Sequence, residues 1–154
     1  MKRLCVVAAA AALIGGLAHV PMASASSKPT PARVTRETFH ITNLQSIDLG
    51  APGGNAVTQL VYSGDLSAKN QPGQFGGSCV LVAPTAYQCT FIGVYADGQL
   101  VHQGIVDATA LTSPTPDFDL GTTGGTGTYR GSRGEIRVHR TGSITEGQVT
   151  HRYR

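Results

Sequence analysis

Three groups of residues in this chain could do chemistry. The first is a pair of cysteines, Cys79 and Cys89. The second is the run Thr122-Thr123-Gly124-Gly125-Thr126-Gly127-Thr128-Tyr129-Arg130-Gly131-Ser132-Arg133-Gly134-Glu135-Ile136, whose Gly-Gly-Thr-Gly could cradle a phosphate. The third is the arginine crowd Arg130, Arg133, Arg137, Arg140, Arg152 and Arg154. A nucleotide loop follows a buried strand and opens a helix. This one runs into Tyr-Arg-Gly-Ser-Arg-Gly and a further strand, so its glycines read as a tight turn with a bulge. The arginines read as a solvated strand face, with an anion site as the sharper alternative. After His19, the histidines His40, His102, His139 and His151 show no tight ligand spacing, and no metal site is expected. No Gly-x-Ser-x-Gly elbow is present. The absence of tryptophan and the small number of Tyr and Phe argue against a stacking platform for sugars or single strands.

What the cysteines can do depends on where the chain resides. Lys2 and Arg3 precede a charge-free run from Leu4 to Ala18, and Ala23-Ser24-Ala25 follows. That order predicts a cleaved secretory signal over residues 1–25, with the cut between Ala25 and Ser26. A spanning helix needs about 20 apolar residues. This run is shorter, is broken by Gly15-Gly16 and is followed by His19 and Pro21, so a membrane span is not expected. Residues 26–32, with two prolines, read as a flexible leader. Cleavage would remove Cys5 and two of the twelve basic residues, leaving ten against nine acidic ones. So neutral a domain carries no nucleic-acid footprint.

In an exported chain the two remaining cysteines are expected to pair. They flank a hairpin around Ala83-Pro84-Thr85-Ala86. If Val82 faces Ala86, Cys79 falls opposite Cys89 and both side chains reach the same face.

The rest of the chain resolves into short β-rich runs separated by turn signals. The runs are 34–42, 56–66, 77–83, 87–96, 99–109, 118–122, 128–140 and 143–153. Asp97-Gly98 is the sharpest separator and predicts a primed-turn hairpin. No segment carries a capped helical stripe. Eight strands with frequent glycine predict an all-β domain over residues 33–154, either a closed antiparallel barrel or a sandwich, and the barrel is preferred because closure leaves no edge.

With the strands placed, the Gly-Gly-Thr-Gly-Thr-Tyr-Arg-Gly-Ser-Arg-Gly stretch resembles the signature of dirigent proteins and, more loosely, allene oxide cyclases. Leu60–Leu66, Gly76–Val82 and Asp97–Gly104 are similar to other strands of those families, in the same order. The resemblance implies an eight-stranded antiparallel barrel, usually trimeric, with a pocket for a small apolar or phenolic molecule in its mouth. It implies cyclisation or stereoselective coupling without a redox cofactor; a non-catalytic binding or cell-surface module on the same barrel is the alternative. Arg133, Arg130, Asp65 and Tyr95 are the pocket candidates that the matching strands offer. The resemblance also implies a cyclase glutamate in the first strand; the first strand here offers only Glu37, in a surrounding motif that does not match. By alternation Glu37 shares a face with Phe39, which suits a pocket wall, the alternative being a solvent-facing residue.

Overall fold

The computed structural model describes residues 31–48, 58–68 and 72–154. The segment read as a signal peptide and most of the leader lie outside the described residues, as does the stretch between the first two strands. Eight strands follow in order: β1 (Arg33–Asp48), β2 (Thr58–Ser67), β3 (Pro72–Ala83), β4 (Ala86–Tyr95), β5 (Gly98–Asp107), β6 (Phe118–Gly125), β7 (Gly134–Arg140) and β8 (Glu146–Tyr153). Each pairs antiparallel with its sequence neighbours, and β1 pairs with β8 to close the barrel. Alternation decides the lining. On β8, Gly147, Val149, His151 and Tyr153 are buried; on β4, Tyr87, Cys89, Phe91, Gly93 and Tyr95 are. The pleat sends alternate side chains to the lumen, where an apolar core fills the barrel.

Several expectations need correction. The disulfide hairpin closes on Ala83↔Ala86 with only Pro84 and Thr85 between, and a bulge between Leu81 and Ala83 absorbs the extra residue. The two changes cancel, so Cys79 still faces Cys89 and the two are bonded. The β4–β5 turn is one residue earlier than expected: Tyr95 pairs with Gly98, and among the described residues only glycines have positive φ. Gly98 (φ 148°) is required for a different reason, because a Cβ there would lie 2.2 Å from the Thr126 carbonyl. A five-residue helix, α1 (Ala108–Thr112), links β5 to β6. It is too short to show a periodic stripe, and Asp107 caps it by accepting from the Thr109 N–H at 2.8 Å.

The run 128–140 is also not one strand. Gly127–Tyr129 forms a single 3-10 turn, and β7 begins only at Gly134. The Gly-Gly-Thr-Gly signature is therefore a clamp across one end of the barrel. Thr126 donates to the Gln99 carbonyl at 2.9 Å, and Thr128 to the Asp97 carbonyl at 3.0 Å. Gly127 (φ 60°) lets the backbones touch, since a Cβ would sit 2.0 Å from the Asp97 oxygen. The expected bulge falls at Thr123, where the β5–β6 register shifts.

Candidate functional site

The lumen has two chemically distinct ends. At the end where β1 starts and β8 finishes, polar side chains face one another. Glu37 on β1 accepts a hydrogen bond from the Tyr95 hydroxyl on β4 at 2.9 Å. His151 on β8 has its Nε2 3.6 Å from the same carboxylate. The ring of His151 lies 5.1 Å from that of His102 on β5, and His102 Nδ1 meets Thr122 Oγ1 at 3.0 Å. Both imidazoles are fully buried. Burial pushes the His102 pKa down to about 3, with His151 adding to the effect. Burial, and then the charge and hydrogen bond of Glu37, hold Tyr95 far above the ordinary phenol range. Tyr129, folded inward by the clamp, is pushed up to about 12 by burial and by Asp97. Its ring packs against both Tyr95 and Tyr153, and the three buried tyrosines fill this end.

The opposite end holds a cavity of about 210 Å³. Phe39, Phe75, Phe91 and Val149 line it in the middle of the barrel, and the Cys79–Cys89 disulfide forms part of its wall. Phe75 stacks on Phe91 at 5.1 Å and meets Phe39 edge-on at 6.2 Å. Leu44, Leu111 of α1 and Ile144 of the β7–β8 turn surround the mouth; Leu44 and Ile144 are exposed. Only Tyr62, Thr112 and Arg140 bring polar side-chain atoms to this lining. The Tyr62 hydroxyl is committed to the Thr90 carbonyl at 2.9 Å, and burial pushes its pKa well above the ordinary value. Tyr62 has room because residue 77 is glycine: a Cβ there would sit 2.8 Å from its hydroxyl.

Arg140, the last residue of β7, is the one cation of this lining. Its Nη1 donates to the Ala110 carbonyl of α1 and to the Ser113 carbonyl at 2.6 Å, and its guanidinium lies 5.4 Å from the Phe118 ring centroid. Its Nε is buried and has no partner among the described residues. Burial lowers its pKa from the ordinary guanidinium value.

Of the residues singled out from sequence, Glu37 and Tyr95 meet inside the barrel. Asp65, Arg130 and Arg133 are exposed. Asp65 points outward on β2, between the buried Gly64 and Leu66. Arg130 and Arg133 belong to the loop between the 3-10 turn and β7, so strand alternation does not apply to them and neither enters the lumen. The inward residue of the signature is Tyr129. On the outer face Arg137 pairs with Asp119 through two bonds of 2.9 Å, and Arg152 pairs with Glu135 at 3.0 Å. His102, His151 and Arg140 were within reach of the alternation pattern. Leu100 and His102 are two apart, as are Val149, His151 and Tyr153, and Ile136, Val138 and Arg140.

Neither a protein-family model nor a curated protein matches the sequence. Solved structures do. A pyocyanin demethylase is 22% identical, with 79% of this chain and 100% of that chain covered at a TM-score of 0.64. AbnU, an exo-specific intermolecular Diels-Alderase, is 13% identical over 79% of this chain and 96% of its own, at 0.63. A pterocarpan synthase dirigent protein is 14% identical over 82% and 86%, at 0.52. What is shared at such identities is the fold: this chain is an eight-stranded antiparallel barrel of the kind found in a dirigent protein and in Diels-Alderase cyclases.

Proposed function

We propose that this is an exported barrel that binds one small apolar or phenolic molecule in its open cavity and guides that molecule's cyclisation or coupling. The observation that carries the reading is the cavity of about 210 Å³, lined almost wholly by aromatic and aliphatic side chains. A dry cavity of about 150 Å³ accepts benzene, and drug-sized ligands occupy roughly 300–1,000 Å³. The space therefore suits one or two rings. The demethylase, Diels-Alderase and dirigent structures named above support a small organic ligand for such a barrel. The disulfide is consistent with an oxidising compartment.

Among the described residues, no carboxylate or imidazole lines the cavity. Acid–base catalysis there has no agent, so any effect on a reaction comes from restricting the conformers of a reactive ligand. Glu37 and Tyr95 keep a supporting role at the plugged end. The same lining also favours the second reading, a carrier that returns its ligand unchanged. Titration with 4-hydroxycinnamyl alcohol, followed by tyrosine fluorescence, is expected to give saturable one-to-one binding. Ile144→Trp, a substitution at the exposed mouth, is expected to weaken it about tenfold, or 1.4 kcal/mol. One-electron oxidation of the bound alcohol separates the readings: a stereochemical bias in the dimers supports guidance, and racemic product supports the carrier. Absence of binding by any phenol would sink both.

A homotrimer, implied by the family resemblance, is also proposed. The outer face of β2–β5 presents Val82, Val94 and Ile105, all well exposed, with Asp65 and, at the α1 end, Asp107 as the charged residues inside the strands' paired span. The ion pairs of the outer wall, Arg137–Asp119, Arg152–Glu135 and His40–Glu146, lie on β1 and β6–β8. Burying the central part of this sparsely charged half against other copies costs less desolvation than burying the ion-paired half. Light scattering is expected to give a trimer that Ile105→Glu reduces to monomer; a wild-type monomer would rule the assembly out.

A further inference from the structure

Resting on the pocket reading above, we infer that the cavity takes a carboxylic acid, whose carboxylate pairs with the Nε–Nη2 edge of Arg140. A guanidinium presents its donors on two usable edges. Both bonds that Arg140 makes leave from Nη1, to the Ala110 and Ser113 carbonyls, and they fix the group against α1 and the start of the following loop. The opposite edge, Nε with Nη2, makes no hydrogen bond among the described residues, and Nε is buried.

A half-buried charge is normally accompanied by an opposite one. Among the described residues Arg140 has no carboxylate partner: it lies by the Phe118 ring and the Tyr62 phenol, which is itself committed to Thr90. The acids on or beside the adjoining strands are engaged elsewhere: Glu146, next to the Gly147 that pairs with Arg140, lies 3.7 Å from His40, Asp119 pairs with Arg137, and Asp117, just before β6, meets His139 at 2.7 Å. The protein thus holds a cation at the mouth of an apolar cavity, fixed through Nη1 and with no carboxylate partner among the described residues. A planar oxyanion attached to an apolar body completes both features at once. The carboxylate sits at the mouth and the ring or chain lies over Phe75 and Phe91. A neutral phenol would fill the cavity and leave the guanidinium edge unpaired.

The test compares 4-hydroxycinnamic acid with its methyl ester and its primary amide at neutral pH, by calorimetry on the full barrel. The acid is expected to bind about 10- to 100-fold more tightly, the range of a charge-assisted hydrogen-bonded pair. In Arg140→Met the preference for acid over ester is expected to vanish, and an unchanged far-ultraviolet circular dichroism spectrum shows that the variant is folded. Arg140→Lys keeps the charge without the fork and should retain only a few-fold preference. In the wild-type protein the Arg140 Nε–H resonance should move on adding acid and stay in place with ester. Equal affinity for acid and ester overturns the carboxylate assignment and leaves the pocket reading standing. An acid preference that survives in Arg140→Met overturns the role of Arg140. If no member of the series binds, the pocket reading falls, and this inference with it.

Discussion

Acidification from pH 7 to pH 4 is expected to remove several kcal/mol of stability from this barrel through His102 alone. The ring is fully buried between Phe91 and His151, and its pKa falls from 6.5 to about 3 on folding. The unfolded chain therefore takes up a proton as pH drops below 6.5, and the folded chain does not. Stability is constant above that point and is lost at up to about 1.4 kcal/mol per pH unit below it, until the folded pKa is reached. Against a total of about 5–15 kcal/mol for an ordinary domain, this is a large share. The groups facing the ring are Thr122, which bonds Nδ1, and His151, whose Nε2 lies near Glu37. Asp119 contributes in the same direction, since its bonds to Arg137 hold its carboxyl below the ordinary range. That pair is exposed, salt-screened and acts only below about pH 4. His102→Gln retains a partner for Thr122 and cannot ionise. Its urea midpoint is expected to change much less than the wild-type midpoint between pH 7 and pH 4.5. Parallel losses in the two proteins would show that the acid sensitivity lies elsewhere.

The barrel was legible because two independent signals agreed along most of the chain: alternation within strands and turn residues between them. Where the signals conflicted, the reading failed in a definable way. In residues 128–140 the β-rich composition continued through Gly131 and Gly134, yet those glycines take φ of 77° and 155° and interrupt the strand. Arg130 and Arg133 were placed by a pleat that does not exist there. β1 runs on to Asp48 because a register shift between Ile41 and Asn43 lets it stay paired with β2 after it leaves β8. Polar residues within apolar alternation carried a usable signal that residue type obscured. His102 and His151 lack the spacing of metal ligands and carry no other sequence flag, and Arg140 reads as one of a solvated arginine row. Position in the pleat separates Arg140, which faces in, from Arg137, which faces out and binds Asp119. Sequence spacing alone does not reveal that Thr126 and Thr128 clamp the β4–β5 turn, because that contact joins segments about thirty residues apart.

The cysteine pair was anticipated as a staple, and the structure makes it part of the cavity wall as well. Removing it is therefore expected to have two separable consequences. Cys79 and Cys89 close a loop with a sequence separation of 10. The chain-entropy estimate for so short a loop is about 3 kcal/mol, provided that the folded barrel is otherwise unchanged. β3 and β4 remain paired along their length without it, so the fold should survive. For a domain of this size the loss corresponds to a fall in Tm of about 10 °C. Both sulfurs are almost wholly buried, which makes Cys79→Ala with Cys89→Ala the appropriate double variant, since serine would bury two hydroxyls. Reduced wild-type protein and the double variant should unfold at similar temperatures. Their ligand behaviour should differ: reduction leaves two thiols in the wall and nearly the same cavity, whereas the alanines enlarge it and reduce contact with a bound ring. Hydroxycinnamate affinity is thus expected to fall further in the double variant than in reduced protein. If both treatments abolish binding together with the tertiary signal, the disulfide is holding the barrel itself closed, and the separation of wall from staple is wrong.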